Sequence, residues 1–332
     1  MKFKDYPIHP SILQAIEELG YKRPTDIQYK VIPHILNGED VMAVAPTGTG
    51  KTAAFAIPLI HKVNGYARKS GVQVLVMVPT RELARQIEQV FLDLSKHLSI
   101  SILSLIGGVE QESQIKKLKE NTQILITTPG RMFDLIAQGY LDISTVKMWV
   151  LDEADLMLDL GFARDIVDAK RKLPRYLQTL FFTATINKKI KSLAYDVVKD
   201  AIRIQITPGN PVSKNVDHQV MMVEMDDKRF FLENILIEYP EERFMIFVRT
   251  KVRAERVQKA MERIGISVEI LHGGKEQSER FNTLERFRSG VNKVLVTTDV
   301  ACRGIDIPEV EYVINYDLPD NPENYVHRCG RT

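Results

Sequence analysis

Two short runs of this 332-residue chain carry groups that could do chemistry. The first is Ala45, Pro46, Thr47, Gly48, Thr49, Gly50, Lys51 and Thr52, directly after the apolar residues Val41 to Val44. A strand, a glycine-containing loop and then Gly-Lys-Thr opening a helix can cradle nucleotide phosphates. Backbone N–H groups point into such a loop, the lysine reaches the outer phosphates, and the next hydroxyl binds Mg²⁺. The second run is Trp149-Val150-Leu151-Asp152-Glu153-Ala154-Asp155, with two acids at the end of an apolar strand. Asp152 suits a magnesium shell and Glu153 suits the orientation of an attacking water. Taken singly, the loop can be an ordinary turn and the acids an ordinary helix cap. Together, each behind its own strand, they predict hydrolysis of a nucleoside triphosphate. Lys51, Asp152 and Glu153 then stand at the reacting phosphate, and Thr52 with Asp152 on the metal.

The elements that must position these groups are legible as alternating apolar strands and amphipathic helices, the pattern of α/β domains with parallel sheets. In the first half, strands are expected at 41–44, 74–78, 102–105, 124–127, 148–151 and 180–183. A polar or glycine-containing signal follows each, and in an open parallel sheet these gather at the carboxyl edge where ligands bind. Turn formers cluster from Thr207 to Ser213, which places a linker at 208–216 between a domain at 1–207 and another at 217–332. The alternation then resumes with strands at 244–248, 268–271, 293–297 and 312–315 and helices at 251–264 and 278–289. The second half has no Gly-Lys-Thr loop of its own, so it is expected to complete the first domain's site.

Composition narrows the setting. Hydrophobic residues make up 44% and charged residues 27%, an ordinary globular balance. No apolar run approaches the ~18 residues of a membrane span, and the first residues lack a signal peptide's apolar core. Cys302 and Cys329 show neither a pairing pattern nor zinc-ligand spacing, so a reducing, cytoplasmic setting is expected. A net charge of +2 neither demands nor excludes a nucleic-acid partner. The basic run Lys251, Arg253, Arg256, Lys259, Arg263 invites an RNA reading, but Glu255 and Glu262 are interleaved with it, which favours a solvated helix face.

In series, these motifs resemble the DEAD-box ATP-dependent RNA helicases of helicase superfamily two, over nearly the whole chain. The resemblance implies two tandem RecA-like domains, ATP and Mg²⁺ as cofactors, and RNA held through its backbone with little sequence preference. Gly20 to Gln28 is similar to the family's adenine-reading motif. There Gln28 pairs with the base edge, while Tyr21, Arg23 and the upstream Phe3 lie around the ring. Pro46 departs from the family's usual glutamine and Thr183-Ala184-Thr185 from its Ser-Ala-Thr. The resemblance gives Asp155, Thr183 and Thr185 the coupling of hydrolysis to strand separation, with the Thr183 hydroxyl expected on the acids.

RNA contacts are implied at Thr80, Arg81, Gly107, Gly108, Thr128, Gly130 and Arg131 in the first domain. In the second they are implied at Thr250, Thr297 and Arg303, while Gly304 and Asp306 face the nucleotide. His327-Arg328-Cys329-Gly330-Arg331-Thr332 is similar to the last motif, with Arg331 as an arginine finger. The family pattern continues past Thr332 to one more arginine, so the second domain is expected to be incomplete at its C-terminus. The activity implied is RNA-dependent ATP hydrolysis with local unwinding of short duplexes. An ATP-gated RNA clamp carries the same motifs, and a DNA helicase of the same superfamily is a more distant alternative. Protein partners are expected through regions other than these.

Overall fold

The computed structural model describes residues 2–65, 71–206, 216–302, 305, 307 and 310–331. The chain divides into two compact units, Met1–Thr207 and Pro208–Thr332. Of the expected linker only Val216 lies among the described residues.

The first unit is built on seven parallel strands: β1 (Val41–Val44), β2 (Val74–Met77), β3 (Ile102–Leu105), β4 (Ile124–Thr127), β5 (Met148–Leu151), β6 (Gln178–Thr183) and β7 (Ile202–Gln205). Their order across the sheet is β3-β4-β2-β5-β6-β1-β7. Strands β1, β2, β4, β5 and β6 are buried throughout, as expected where helices cover both faces of a parallel sheet. Alternate side chains enter opposite cores. Val44, Met77, Leu105, Trp149 and Leu151 belong to one apolar cluster. On another packing surface the Phe55 ring lies 5.1 Å from Phe182 and 6.1 Å from Phe91, joining helices Lys51–Gly65 and Arg81–Ser95 to the sheet.

The second unit has four parallel strands, β8 (Phe244–Phe247), β9 (Glu269–Leu271), β10 (Val294–Thr297) and β11 (Tyr312–Asn315), in the order β11-β8-β10-β9. Phe244, Ile246 and Val248 enter one core, and Met245 and Phe247 the other. The α/β class with mainly parallel sheets is as the alternation predicts, with boundaries shifted by a residue or two. Strand β7 was not foreseen. Its Ile-Arg-Ile-Gln run is half exposed and sits at the sheet's edge, so it lacks the continuous apolar signature of its neighbours.

The C-terminal helix of this unit, Pro322–Cys329, is held down by a buried cation. Arg328 is 2% exposed and donates to both Asp299 carboxylate oxygens, at 2.6 and 2.8 Å. It also donates to Asn315 Oδ1 and the Asp317 carbonyl, and its guanidinium lies 4.9 Å from the Phe247 ring centre. The planar fork thereby ties the helix to the ends of β8, β10 and β11, a geometry that a lysine cannot reproduce. Arg328→Ala should destabilise the second unit by about 3 kcal/mol, because Asp299 is left without its partner. Arg328→Lys should restore little of that loss. Urea unfolding followed in both variants checks this, and parental stability in either would contradict it.

Candidate functional site

Parallel register brings the ends of β1, β6 and β5 together. Val44 lies beside Thr183, and Phe181 beside Leu151. The loop after β1 and the acids after β5 are therefore two strand spacings apart, about 10 Å. The loop turns through Gly48 (φ 77°) and Gly50 (φ 87°), backbone conformations that favour glycine. A Cβ on Gly50 would also fall 2.5 Å from the Gln28 side-chain nitrogen. Thr49 closes the loop by donating its hydroxyl to the Pro46 carbonyl at 2.7 Å. This staple needs no N–H from residue 46, so proline is accommodated there.

Lys51 opens the following helix with its side chain 5% exposed, and its ammonium donates to Glu153 Oε1 at 2.9 Å. Burial works against the charge on Lys51, but Glu153, Asp152 and Asp155 together outweigh it and raise its pKa above the ordinary value. Asp152 is equally buried. Desolvation first, and the adjacent Glu153 carboxylate second, push its pKa up to about 7. The Glu153 N–H donates to Asp152 Oδ1 at 3.0 Å. Glu153 itself has φ +51°, a left-handed conformation that costs a non-glycine residue about 1–2 kcal/mol and aims its carboxylate at Lys51.

The coupling residues are connected differently from the expectation. Asp155 Oδ2 accepts from both the N–H and the hydroxyl of Thr185, each at 2.9 Å. The Thr183 hydroxyl reaches no acid; it donates to the Thr185 carbonyl at 2.9 Å. β6 directs the Thr183 side chain inward, and only two residues later does the chain reach the acids' level. Thr183 therefore supports Thr185, and Thr185 meets Asp155.

Around the loop's far side, Gln28 is only 5% exposed. Its Oε1 accepts from Thr25 N–H at 3.0 Å and its Nε2 donates to the Gly50 carbonyl at 3.2 Å. Thr25 adds a second tie by donating to the Thr49 carbonyl at 2.8 Å. The Thr-x-x-Gln spacing of a helix-capping box is the signal in the sequence that marks Thr25. Tyr21 and Arg23 are exposed, whereas Phe3 is 5% exposed and belongs to the core.

At the same edge, Thr80 caps the helix Arg81–Ser95 by accepting from Leu83 N–H, and a Cβ on Gly107 would lie 3.2 Å from the Arg81 guanidinium. Arg131 is spent within the protein. It donates to the Ile106 and Val109 carbonyls and to Gln111, holding the loop that contains Gly107 and Gly108. Thr128 begins the helix Pro129–Ala137, and Gly130 in its first turn is exposed with open space beside it.

In the second unit, Thr250 caps the helix Lys251–Glu262 and is exposed. Thr297 is fully buried and donates to the Leu271 carbonyl at 3.0 Å, because as the last residue of β10 it points into the sheet rather than at its rim. Arg331 is 8% exposed and donates to the Ile305 carbonyl. Arg303, Gly304 and Asp306 lie outside the described residues.

Two family models match the chain. That of the DEAD/DEAH box helicases covers residues 25–193, and that of the helicase conserved C-terminal domain covers 227–332. The chain is 38% identical over 331 residues to RNA helicase CrhR of Synechocystis sp., across 99% of this chain and 67% of that protein. It is 39% identical over 331 residues to ATP-dependent RNA helicase DeaD of Mycobacterium tuberculosis, across 99% of this chain and 58% of that one. The chain thus spans about three fifths to two thirds of the length of these relatives. Its structure resembles that of S. cerevisiae Dbp5 bound to RNA and ADP BeF3, with a TM-score of 0.88, 31% identity, and coverage of 99% of this chain and 85% of that one.

The buried carboxyl gives a pH signature. The folded pKa of Asp152 stands above its ordinary 3.8, so the protonated acid stabilises the fold, and that stability is lost as pH rises from about 4 toward about 7. Asp152→Asn should remove this contribution to the slope. Denaturation midpoints across that range, taken for parent and variant without nucleotide, check it; parallel curves would show that Asp152 titrates normally.

Proposed function

The chain belongs to the DEAD/DEAH box helicase family, and from that premise we propose that it is an RNA-dependent ATPase that locally unwinds or remodels short RNA duplexes. The observation that carries this reading is the buried contact between Lys51 and Glu153 across the ends of β1 and β5. An incoming triphosphate offers Lys51 a stronger anion than one carboxylate. Lys51 then swings to the phosphates, and Glu153 is released to orient the attacking water.

Mg²⁺ fits the donors present. Asp152 keeps one carboxylate oxygen beyond the one that accepts from Glu153, Thr52 supplies a hydroxyl, and hard oxygens are what this ion takes. When bound, it would neutralise charge on the transferring phosphate. The Pro46–Thr52 loop then holds the phosphates, and Gln28 selects adenine beside Tyr21 and Arg23. Arg331 serves as the finger only after leaving the Ile305 carbonyl. Thr185 reports the state of the acids through Asp155. RNA is taken through backbone contacts at Thr80, Arg81, Thr128, Gly130 and Thr250, with Arg131 supporting rather than touching the strand. An ATP-gated clamp with little unwinding remains the second reading, on the same groups.

Three measurements test this. RNA-stimulated phosphate release run beside displacement of a short labelled duplex separates the readings: turnover without displacement favours the clamp, and neither with RNA present removes both. Glu153→Gln should lower turnover by about a hundredfold or more, with nucleotide affinity kept or improved because its competitor for Lys51 is gone. Near-normal turnover would take Glu153 out of the reaction. Gln28→Ala should cost about 1–3 kcal/mol in ATP affinity and less for GTP. Thr25→Val, which loses the tie to the Thr49 carbonyl together with the hydroxyl's part in the helix cap, should weaken both nucleotides alike. An unchanged ATP-to-GTP ratio in Gln28→Ala would leave that residue a loop staple only.

A further inference from the structure

Two histidines away from the phosphate loop fasten the helix Pro10–Glu18 to the helix that Lys51 opens. His9 caps the former. Pro10 has no N–H, so the first free donor is that of Ser11, which donates to His9 Nδ1 at 3.2 Å. The His9 N–H in turn donates to His61 Nδ1, also at 3.2 Å. His61 stands ten residues into the helix Lys51–Gly65, about 15 Å from its start. Both rings are half-buried.

An imidazole nitrogen that accepts a hydrogen bond carries no hydrogen of its own. The pattern therefore assigns both rings as neutral, with the hydrogen on Nε2. Protonation of either Nδ1 sets one donor against another and leaves the backbone N–H of Ser11 or His9 unmatched. Nothing around the pair rewards the added charge. His9 from the opening segment and Lys62 from the same helix act on His61, and no ionisable group of the adjoining helices Asp26–Leu36 and Arg81–Ser95 does. No acid pairs with either ring among the described residues. Burial first, then His9 and Lys62, hold the His61 pKa below its ordinary 6.5. The neutral ring thus stabilises the fold above that pH, and the contribution is lost as pH falls below it.

The fastened helix leads straight into the segment that carries Tyr21 and Arg23. It closes through Gly20 (φ 74°), whose N–H meets the Glu17 carbonyl at 2.9 Å, and the Tyr21 N–H meets the Ile16 carbonyl at 3.1 Å. The other partner, His61, belongs to the helix that begins with the phosphate loop's lysine. One hydrogen bond therefore joins the element that places the base contacts to the element that places the phosphate contact. At its far end the helix Pro10–Glu18 is held by Glu18, which meets Lys96 and, at 3.0 Å, His97. That exposed contact responds to acid in the opposite sense, because a protonated His97 pairs better with a carboxylate.

We propose that His9 and His61 are positioning residues for the nucleotide site: with both rings neutral they keep the adenine-side segment in register with the phosphate loop, and acid opens this latch and weakens ATP binding. The inference rests on the reading of this edge as an ATP site.

The test is binding of a fluorescent ATP analogue with Mg²⁺ to the full chain, from about pH 7.5 down to about pH 5.5. Asparagine sets an amide oxygen roughly where Nδ1 stands and does not titrate, so His9→Asn combined with His61→Asn keeps both acceptors in acid. Asp152 and the terminal phosphate titrate over the same range, but in every variant alike, so the difference between profiles carries the result. On acidification the parent should lose about fivefold more affinity than the double asparagine variant, the effect of one cap hydrogen bond on an equilibrium. His61→Leu, which has no acceptor, should bind about fivefold more weakly than the parent already at about pH 7.5. His97→Ala should keep the parental acid loss. Parallel profiles for the parent and the double asparagine variant would overturn the proposal, and that comparison decides alone if His61→Leu does not fold. Parental affinity in a folded His61→Leu would overturn it too, as would an acid loss that vanishes in His97→Ala. Failure of the parent to bind the analogue at any pH would instead overturn the ATP reading on which the proposal stands.

Discussion

A lysine ammonium buried at the carboxyl edge of a parallel sheet is the constraint on which the first unit is organised. Lys51 is 5% exposed, and an ammonium taken that far from water must be compensated. Helix Lys51–Gly65 fixes where it starts, and β5 must end where its acids can meet it. Those acids cannot all be charged cheaply in so little solvent. Glu153 is paired with Lys51, while burial and the adjacent carboxylate raise the pKa of Asp152. The arrangement without nucleotide is a store of mutually compensating charge that a phosphate can rearrange.

Hydroxyl groups carry the connections outward from that centre. Thr25 and Thr49 fix the loop, and Thr183 holds the Thr185 carbonyl while Thr185 grips Asp155. Each bond is short-range and directional; one set ties the helix Asp26–Leu36 to the loop, and another ties the acids after β5 to the end of β6. Threonines suit this position because their hydroxyl both donates and accepts, while the methyl fills space at a sheet edge that is otherwise apolar.

The second unit solves a similar problem with the opposite emphasis. Arg328 is as buried as Lys51, but its guanidinium donates four hydrogen bonds, two to Asp299 and one each to Asn315 and the Asp317 carbonyl. It is an anchor.

Much of this was open to reading in the residues alone. Strand positions, the division near residue 207, the phosphate loop and the paired acids are all local patterns, set by burial on both faces of a sheet and by which residues can turn after a strand. Strand β7 escaped because an edge strand buries only part of its side chains. What the tertiary structure decided was the partner of each polar group. Thr297 was expected at the RNA but is buried and donates to the Leu271 carbonyl of the neighbouring strand; Arg131 was expected there too but braces a loop; Gln28 is clasped by Thr25 and Gly50. Composition and spacing fix which side chains can donate or accept. Which of several nearby acceptors is met depends on distances of a few ångströms between elements remote in sequence, and only the packed sheet sets those.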